Sequence, residues 1–518
     1  MSCLDTIILS NTYRDSVFLM KISAEVAKIN GVIEAAAMMA TERNKDLFEK
    51  SNLSNEKVCN ALSDDLVISV RAENEEALQK ALSKANEMLS SVNKAEKTDK
   101  DNKIKTLEAA LQVDKEANVL LISCAGDYAK YEAVKGLNNG LNIMLYSDNI
   151  SVEDELALKQ LAHQKQLIVM GPDCGSSIIN GVPLAFANRV GKGPIGVVGA
   201  SGTGIQEVTS LLDRYGCGIT QAFGTGGRDP KEEINGITMM DCLEIIKNDP
   251  NSKVILIVSK PPCKSVLKKI IEFIKSTEKP VVVNFAGEDD YSEIVQAGGY
   301  YGKSLEETAM EAYRLATGKE VEYELFSGID FNKLNKEIAN LLPSQKYLRA
   351  IYSGGSLCYE AMAEIKKYVS PILSNTPLKG VEKLEDVKKS RLNTFLDIGD
   401  DEFTVGKPHP MIDPTIKCKR LEAEISDEEV AIVLTDCVIG YGSCDDPAKA
   451  IAEAINEKST TKAIVVASVC GTQKDYQIYS KQVEILRDAG VYVAQSNYQA
   501  AKLCEYIFNK LSEAKNEG

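Results

Sequence analysis

The chain of 518 residues has no tryptophan and only two histidines, His163 and His409. A metal site with several histidine ligands is therefore excluded, and a Ser-His-Asp triad would have to use one of these two. The 13 cysteines are scattered, odd in number and without a Cys-x-x-Cys pair. This pattern argues against a disulfide framework or a zinc ribbon and for a reducing compartment. We predict no metal site.

Long apolar runs and excess positive charge are also missing. No segment approaches the ~18 consecutive apolar residues of a membrane span, and Met1–Thr12 lacks the pattern of a secretion signal. Lys and Arg number 60 against 75 Asp and Glu, a net charge of −15, which disfavours a protein that follows nucleic-acid phosphates. We expect a cytoplasmic protein that binds neither membrane nor nucleic acid.

The hydrophobic pattern predicts an α/β protein of four domains. Residues 1–95 alternate between strand and helix patterns and indicate a small α+β domain, followed by a lysine-rich linker at Ser91–Lys105. From Asn118 the pattern is regular βαβ, typical of parallel sheets covered by helices. We predict a Rossmann-like domain at 110–190 and flavodoxin-like domains at 191–325 and 340–518.

Three glycine-rich turns follow predicted strands. The turn Gly199–Gly204 precedes a helix, whose free N–H groups and positive dipole end suit an anion. A second turn, Gly224–Asp229, adds the guanidinium of Arg228, which can grip phosphate or carboxylate. A third turn, Ser353–Ser356, repeats the arrangement. Ordinary helix caps are the alternative interpretation. The predicted phosphate or substrate ligands are Ser201, Gly202, Thr203, Gly204, Gly226, Gly227, Arg228, Gly354, Gly355 and Ser356.

Other reactive side chains give weaker signals. Cys124 and Cys174 also follow strands, but inert buried thiols are the more common case. His163 ends a predicted surface helix, where a cation suits the dipole, so we interpret it as structural. His409 lies between prolines in a loop that follows Asp400. We predict His409 and Asp400 as catalytic candidates.

Taken together, these motifs resemble a known family. Gly171–Gly175, Gly193–Gly204 and Gln221–Asp229 are similar to the α subunit of succinyl-CoA synthetase. Asn393–Gly399 and Thr435–Cys444 are similar to the carboxy-terminal domain of its β subunit. The sequence from 171 to 241, together with the later segment YSGGSLCYEA, resembles the FdrA family. This family is a fusion of these two halves behind a small amino-terminal domain. The resemblance implies consecutive domains of succinyl-CoA synthetase type, with the 110–190 unit as a degenerate CoA-binding domain.

The chain departs from the synthetase pattern in three places. The loop Phe285–Asp289, which matches the loop of the synthetase's phosphate-carrying histidine, contains no histidine. The glycine-rich CoA loop corresponds to Ser123–Asp127, which keeps one glycine. About 30 residues separate the two halves, too few for an ATP-grasp domain. No cofactor is required by the sequence, although a residual CoA site is possible.

These departures lead to three hypotheses. The resemblance to FdrA implies a subunit of an oxamate carbamoyltransferase, which interconverts carbamoyl phosphate and oxamate with oxalurate and phosphate in anaerobic nitrogen metabolism and needs companion subunits. We take this as the main expectation, with carbamoyl phosphate or another activated small molecule as the ligand. The alternatives are an acyl-CoA synthetase component whose nucleotide site lies on a partner, and a non-catalytic scaffold that binds a phosphorylated metabolite.

Overall fold

The computed structural model describes residues 2–14, 16–97, 104–322, 324–404, 407–456 and 463–516. The chain divides into two compact units: Met1–Leu141 with Asp401–His409, and Asn142–Asp400 with Pro410–Gly518. Within the described ranges, no helix is both long enough and apolar enough to cross a membrane. The predicted four-domain boundaries stay predictions.

The first unit begins with a small antiparallel sheet. Its elements are β1 (Cys3–Leu9), α1 (Ser16–Ala27), β2 (Val32–Met39), α2 (Glu42–Lys50), α3 (Glu56–Asn60), β3 (Leu66–Ala72), α4 (Glu75–Lys97), α5 (Leu107–Val113), β4 (Val119–Ile122) and α6 (Gly126–Asn138). The strand order β1-β3-β2 is antiparallel throughout. The predicted α+β start is therefore confirmed. Helix α4 continues to Lys97, into the predicted linker, and 98–103 lie outside the described residues.

The second unit contains two large sheets, and the first of them is mostly parallel. Its chain runs through β5 (Asn142–Leu145), α7 (Val152–Gln164), β6 (Val169–Met170), β7 (Ser176–Ile179), β8 (Val182–Ala185), β9 (Lys192–Gly199), α8 (Gly202–Arg214), β10 (Ile219–Gly224), α9 (Ile237–Asn248), β11 (Val254–Ser259), α10 (Lys264–Ser276), β12 (Val281–Phe285), α11 (Ser292–Gln296), β13 (Tyr300–Tyr301) and α12 (Leu305–Thr317). The strand order is β13-β12-β11-β9-β10-β7-β8. Strands β9 to β13 are parallel, whereas the hairpin β7–β8 joins antiparallel to β10.

The second large sheet is parallel along its whole width. Its elements are α13 (Phe331–Ala339), β14 (Tyr347–Tyr352), α14 (Gly355–Ile365), β15 (Ile372–Ser374), β16 (Glu382–Lys383), β17 (Asn393–Asp397), α15 (Asp401–Thr404), α16 (Thr415–Ile425), β18 (Val430–Val438), α17 (Pro447–Asn456), β19 (Ile464–Cys470), α18 (Tyr479–Asp488), β20 (Tyr492–Ala494) and α19 (Asn497–Asn516). Helix α15 belongs to the first unit. The strand order is β16-β15-β17-β14-β18-β19-β20.

The two large sheets of the second unit share one hydrophobic core. Val197 and Leu256 of the first sheet belong to the same buried cluster as Ala350 and Leu434 of the second. Helices α8, α14 and α19 supply apolar side chains between them, because fully buried parallel strands need helices on both faces. This packing brings α8 against α14 and fixes the ends from which both helices start.

Candidate functional site

The starts of α8 and α14 meet at the carboxyl ends of two central strands. Strand β9 lies between β10 and β11, and β14 lies between β17 and β18. After each of these two strands the chain therefore leaves the sheet at a topological switch point. Open α/β sheets bind ligands in the crevice at such points. The Ser201 hydroxyl, just before α8, donates a hydrogen bond of 2.6 Å to Ser356 Oγ in the first turn of α14. Two of the predicted turns are thus brought together.

Two glycines permit this close approach. A Cβ atom added at Gly354 would lie 2.8 Å from Thr203 Cγ2, the methyl group of a residue in the first turn of α8. A Cβ atom added at Gly204 would lie 2.1 Å from Ser201 Oγ. Real Cβ atoms do not come within 3.0 Å of other atoms, so a larger residue at either position would force Thr203 or Ser201 to move.

The two helix starts differ in their electrostatics. The Asp436 carboxylate accepts hydrogen bonds from the backbone N–H groups of Ser353 at 2.9 Å and Gly354 at 2.8 Å. The buried ammonium of Lys417 pairs with Asp436 and donates to Ser353 Oγ at 3.1 Å. Neither N-cap residue, Ser201 for α8 or Gly354 for α14, makes a side-chain cap. The difference is that the N–H groups just before α14, those of Ser353 and Gly354, already hold a carboxylate.

A second carboxyl group lies beside the start of α14. A Cβ atom added at Gly355 would come within 2.4 Å of Asp397 Oδ2. Burial, followed by the nearby charge of Asp400, raises the pKa of Asp397 to about 7. This end of the crevice therefore carries acidic groups, which disfavour a further anion there.

A cleft of about 610 Å³, part of it open to solvent, adjoins both helix starts. Ser201 and Ser356 lie on its wall together with residues at the ends of β11 and β12 and along α14. The loop Phe285–Asp289 contributes Glu288, whose Oε1 accepts the N–H groups of Asp289 and Asp290. The further lining side chains that can bear charge are Asp289, Lys303, Glu360, Glu364, Lys366 and Lys367.

Glu360 is the most strongly perturbed carboxyl group of the cleft. It lies one turn after Ser356 on α14 and accepts hydrogen bonds from Leu305 N at 2.6 Å and Asn497 Nδ2 at 2.7 Å. Burial raises its pKa to about 8, against these hydrogen bonds, which lower it, and with smaller contributions from Glu207 and Glu306. At neutral pH the group is mainly a neutral acid, which reduces the negative charge of the cleft.

The predicted ligand Arg228 lies in a buried ionic network. Its Nε atom is 2.7 Å from Glu155 Oε2, and its Nη2 atom donates to Ile150 O at 2.8 Å. Lys159 pairs with the same Glu155 at 2.9 Å and with Asp229 at 2.7 Å. The guanidinium therefore has protein partners that account for its position.

The remaining candidates do not form one cluster with Ser201 and Ser356. Gly226 has φ 83°, and a Cβ atom there would lie 2.5 Å from Pro172 O, whereas Gly227 is open on all sides. Gly202 begins α8 beside Ser201. His409 belongs to the first unit and Asp400 to the second. The roles proposed for all these residues stay predictions.

Two other side chains have positions that fit the structural interpretation. His163 Nδ1 lies 2.8 Å from Asp241 Oδ1 at the surface. Cys174 is buried, and burial raises its pKa to about 11, so the reactive thiolate is scarce at neutral pH.

Sequence reasoning missed several residues of the cleft. Ser259 is the last residue of β11, much as Ser201 follows the end of β9. Its position at a strand end was therefore a signal that the sequence offered. Glu360 follows Ser356 by four residues and shares its helix face. Lys303 and Lys366 gave no signal, because only the tertiary fold brings them to the cleft.

Three family profiles match the chain. The profile described as CoA-ligase matches residues 351–507, and that described as CoA binding domain matches residues 191–287. A profile described as AllF, heavy metal-associated domain, matches residues 1–106. The fold is therefore α/β with CoA-binding and ligase regions of succinyl-CoA synthetase type behind a small α+β domain.

The side chains of the first unit do not fit a heavy metal. Within the described ranges, no group of three or more His, Cys, Asp and Glu side chains is placed to hold an ion. Cys3 lies in β1 and Cys59 in α3, and the β1–α1 connection contains Arg14, a cation. The carboxylate of Asp65 accepts the N–H group of Asn11 in that connection at 3.1 Å. We therefore assign no chemistry to a metal.

The most informative relative spans the whole chain. The Escherichia coli K12 protein YahF is 39% identical over 98% of this chain and 99% of its own length. The α subunit of ADP-forming succinate–CoA ligase from Aquifex aeolicus is 30% identical over 33% of this chain, and the match covers 57% of that subunit. A solved structure of the dinucleotide-forming acetyl-CoA synthetase 1 from Ca. Korarchaeum cryptofilum covers 78% of this chain and 85% of its own at 16% identity, with a TM-score of 0.33. The chain belongs to the family of YahF, which fits an FdrA-like fusion.

These matches correct the main functional expectation. The carbamoyltransferase prediction, with its link to anaerobic nitrogen metabolism, was wrong, since the CoA-ligase and CoA-binding profiles and the succinate–CoA ligase relative point to ligase chemistry. The physical reason for the error is that turns facing a phosphate serve carbamoyl phosphate and other acyl phosphates equally well. The acyl-CoA synthetase alternative fits these findings.

Proposed function

We propose that this chain is a component of an acyl-CoA synthetase, in which it transfers an acyl group between phosphate and the thiol of CoA. The observation that carries the proposal is the 2.6 Å hydrogen bond from Ser201 to Ser356. It joins the helix start of the half that matches the CoA-binding profile to that of the half that matches the CoA-ligase profile. Both halves thus contribute to one crevice.

The chemistry suits the crevice. The thiolate of CoA attacks the carbonyl carbon of an acyl phosphate, and a C–S bond forms. The bond between that carbon and the bridging oxygen breaks, and phosphate leaves with the electron pair. A helix start with free N–H groups stabilises the charge that develops on the departing phosphate. The start of α8 suits this role, because its N-cap residue Ser201 makes no side-chain cap and the start of α14 lies beside the carboxylates of Asp436 and Asp397.

Activation by a nucleotide falls to a companion subunit in this proposal. The loop Phe285–Asp289 at the cleft has no histidine to carry a phosphoryl group. The short connection between the two halves leaves no room for an ATP-grasp domain. The chain would therefore receive the acyl phosphate after a partner has formed it.

The half-reaction tests the proposal without the partner. The purified full chain is incubated with CoA and acetyl, propionyl or succinyl phosphate, and loss of free thiol and release of phosphate are followed together. We expect equal amounts of both with at least one acyl phosphate. The Ser201→Ala variant is expected to reduce kcat/KM tenfold or more, as for a lost hydrogen bond to a charged group.

Two other results would count against the proposal. Phosphate binding without thiol consumption from any acyl phosphate would contradict the proposal and favour the phosphometabolite-binding scaffold. Phosphate release that is independent of CoA would indicate a hydrolase.

A further inference from the structure

Ser259 has a feature that the proposed function does not explain. Its side chain is 1% exposed at the end of β11, and its Oγ atom has no hydrogen-bond partner within the described part of the chain. The residue nevertheless lines the cleft beside Ser201 and Ser356. Buried polar atoms are nearly always paired, so an unpaired hydroxyl at a cleft calls for a ligand.

The backbone around Ser259 is fully engaged and holds the side chain in place. Ser259 O accepts the N–H group of Ala286 at 2.9 Å, and the preceding Val258 O accepts that of Ala200 at 3.0 Å. Ser259 is thus fixed between the turn that leads into α8 and the loop after β12. Its hydroxyl is a donor built into rigid elements, which gives a binding site its precision.

The charges of the crevice decide where an anion binds. Asp436 occupies the N–H groups of Ser353 and Gly354, and Asp397 lies beside Gly355, so the start of α14 is already acidic. Among the described residues, neither Asp436 nor Asp397 makes a contact of this kind at the start of α8. The positive dipole end of α8, the hydroxyl of Ser201 and the hydroxyl of Ser259 therefore form the favourable side of the crevice.

We propose that Ser259 is a contact residue of a phosphate site at the start of α8, and that the start of α14 contributes Ser356 but does not itself hold the anion. The ligand class is a tetrahedral oxyanion, either inorganic phosphate or the phosphoryl group of an acyl phosphate. The use of this site in acyl transfer rests on the proposed function, whereas the binding of phosphate does not.

Binding of inorganic phosphate to the full chain, measured by titration calorimetry, tests the site. Ser259→Ala is expected to weaken phosphate binding tenfold or more. The matched control is Ser468→Ala in β19, where a serine with 1% exposure also has a hydroxyl without a partner among the described residues but lies outside the cleft. This control is expected to bind phosphate as the unmodified chain does.

Thermal unfolding without phosphate provides a second readout. Ser259→Ala removes a buried polar atom that has no partner among the described residues, so the variant is expected to melt at the same temperature as the unmodified chain or above it. Phosphate is expected to raise the melting temperature of the unmodified chain more than that of Ser259→Ala.

Three outcomes would overturn the inference: no phosphate binding by the unmodified chain, equal phosphate affinity in Ser259→Ala, or an equal loss in Ser468→Ala. Failure of the proposed function is a separate result. It would show as Ser259-dependent phosphate binding without any acyl transfer to CoA.

Discussion

The Nε atom of Arg228 lies 2.7 Å from Oε2 of Glu155, a carboxylate with no exposed surface. Lys159 shares that carboxylate and is equally buried. The side chain of Arg228, which is 34% exposed, closes the network toward the surface. A residue that the sequence assigned to a phosphate thus has a defined structural partner.

Replacing Arg228 distinguishes a structural role in the ionic network from a role in phosphate binding. Arg228→Ala removes one charged partner from Glu155, and we expect the free energy of unfolding to fall by about 1–3 kcal/mol, as measured by chemical denaturation. Phosphate affinity is expected to stay within twofold, because the guanidinium is already engaged. A tenfold loss of phosphate affinity in a variant of normal stability would assign Arg228 to the ligand instead.

Asp436 is expected to be essential for stability. Asp436→Ala leaves the ammonium of Lys417 buried without its carboxylate and frees the N–H groups of Ser353 and Gly354. Loss of one partner of a buried ion pair costs about 3–5 kcal/mol. The exposed pair of Lys28 and Glu25 provides the control, since Lys28→Ala should cost less than about 1 kcal/mol. Equal losses in denaturation would contradict the burial of the Asp436 pair.

A single methyl group should separate the two helix starts. In Gly354→Ala, the new Cβ atom would lie 2.8 Å from Thr203 Cγ2, so the turns must move apart and the bond from Ser201 to Ser356 must lengthen. We expect a loss of about 1–3 kcal/mol in stability and at least tenfold weaker phosphate binding. Gly175→Ala is the matched control, because a Cβ atom there would meet only Phe186 Cδ2 at 3.6 Å, an ordinary contact. Equally weakened phosphate binding in Gly175→Ala would show that the loss does not come from the contact with Thr203.

Much of the fold could be predicted because its signals are local. The apolar runs that end at Gly199 and Tyr352 predicted both central strands, and small residues after them predicted helix starts. The hairpin β7–β8 was missed although Asn180-Gly181, with φ values of 52° and 81°, is a strong two-residue turn signal.

The site was harder to predict because its contacts are not local. Ser201 and Ser356 are 155 residues apart, and no periodicity relates them. The partner of Arg228 could not be read from its own turn, because Glu155 lies on α7 in an earlier βαβ unit. Only the three-dimensional packing shows that the hydroxyl of Ser259 lacks a partner within the described part of the chain.

The raised pKa of Glu360 should make stability depend on pH. In the folded chain the carboxyl group keeps its proton up to about pH 8, whereas the unfolded chain loses it near pH 4.5, the ordinary pKa of a glutamate. Between these values the folded state binds more protons than the unfolded state, so the free energy of unfolding falls as the pH rises. One such proton contributes a slope of at most about 1.4 kcal/mol per pH unit.

Glu360→Gln removes this proton while it keeps an oxygen for Leu305 N. Denaturation curves are measured between pH 5.5 and pH 8, a span of ~2.5 units inside this window. We expect the free energy of unfolding to fall less steeply with pH in the variant than in the unmodified chain. Asp397, with its pKa of about 7, leaves a residual decline in both proteins. Glu272→Gln, on the exposed side of α10, should leave the slope unchanged. Identical slopes for Glu360→Gln and the unmodified chain would show that Glu360 is ionised in the folded state, and the cleft would then carry one more negative charge against its anion.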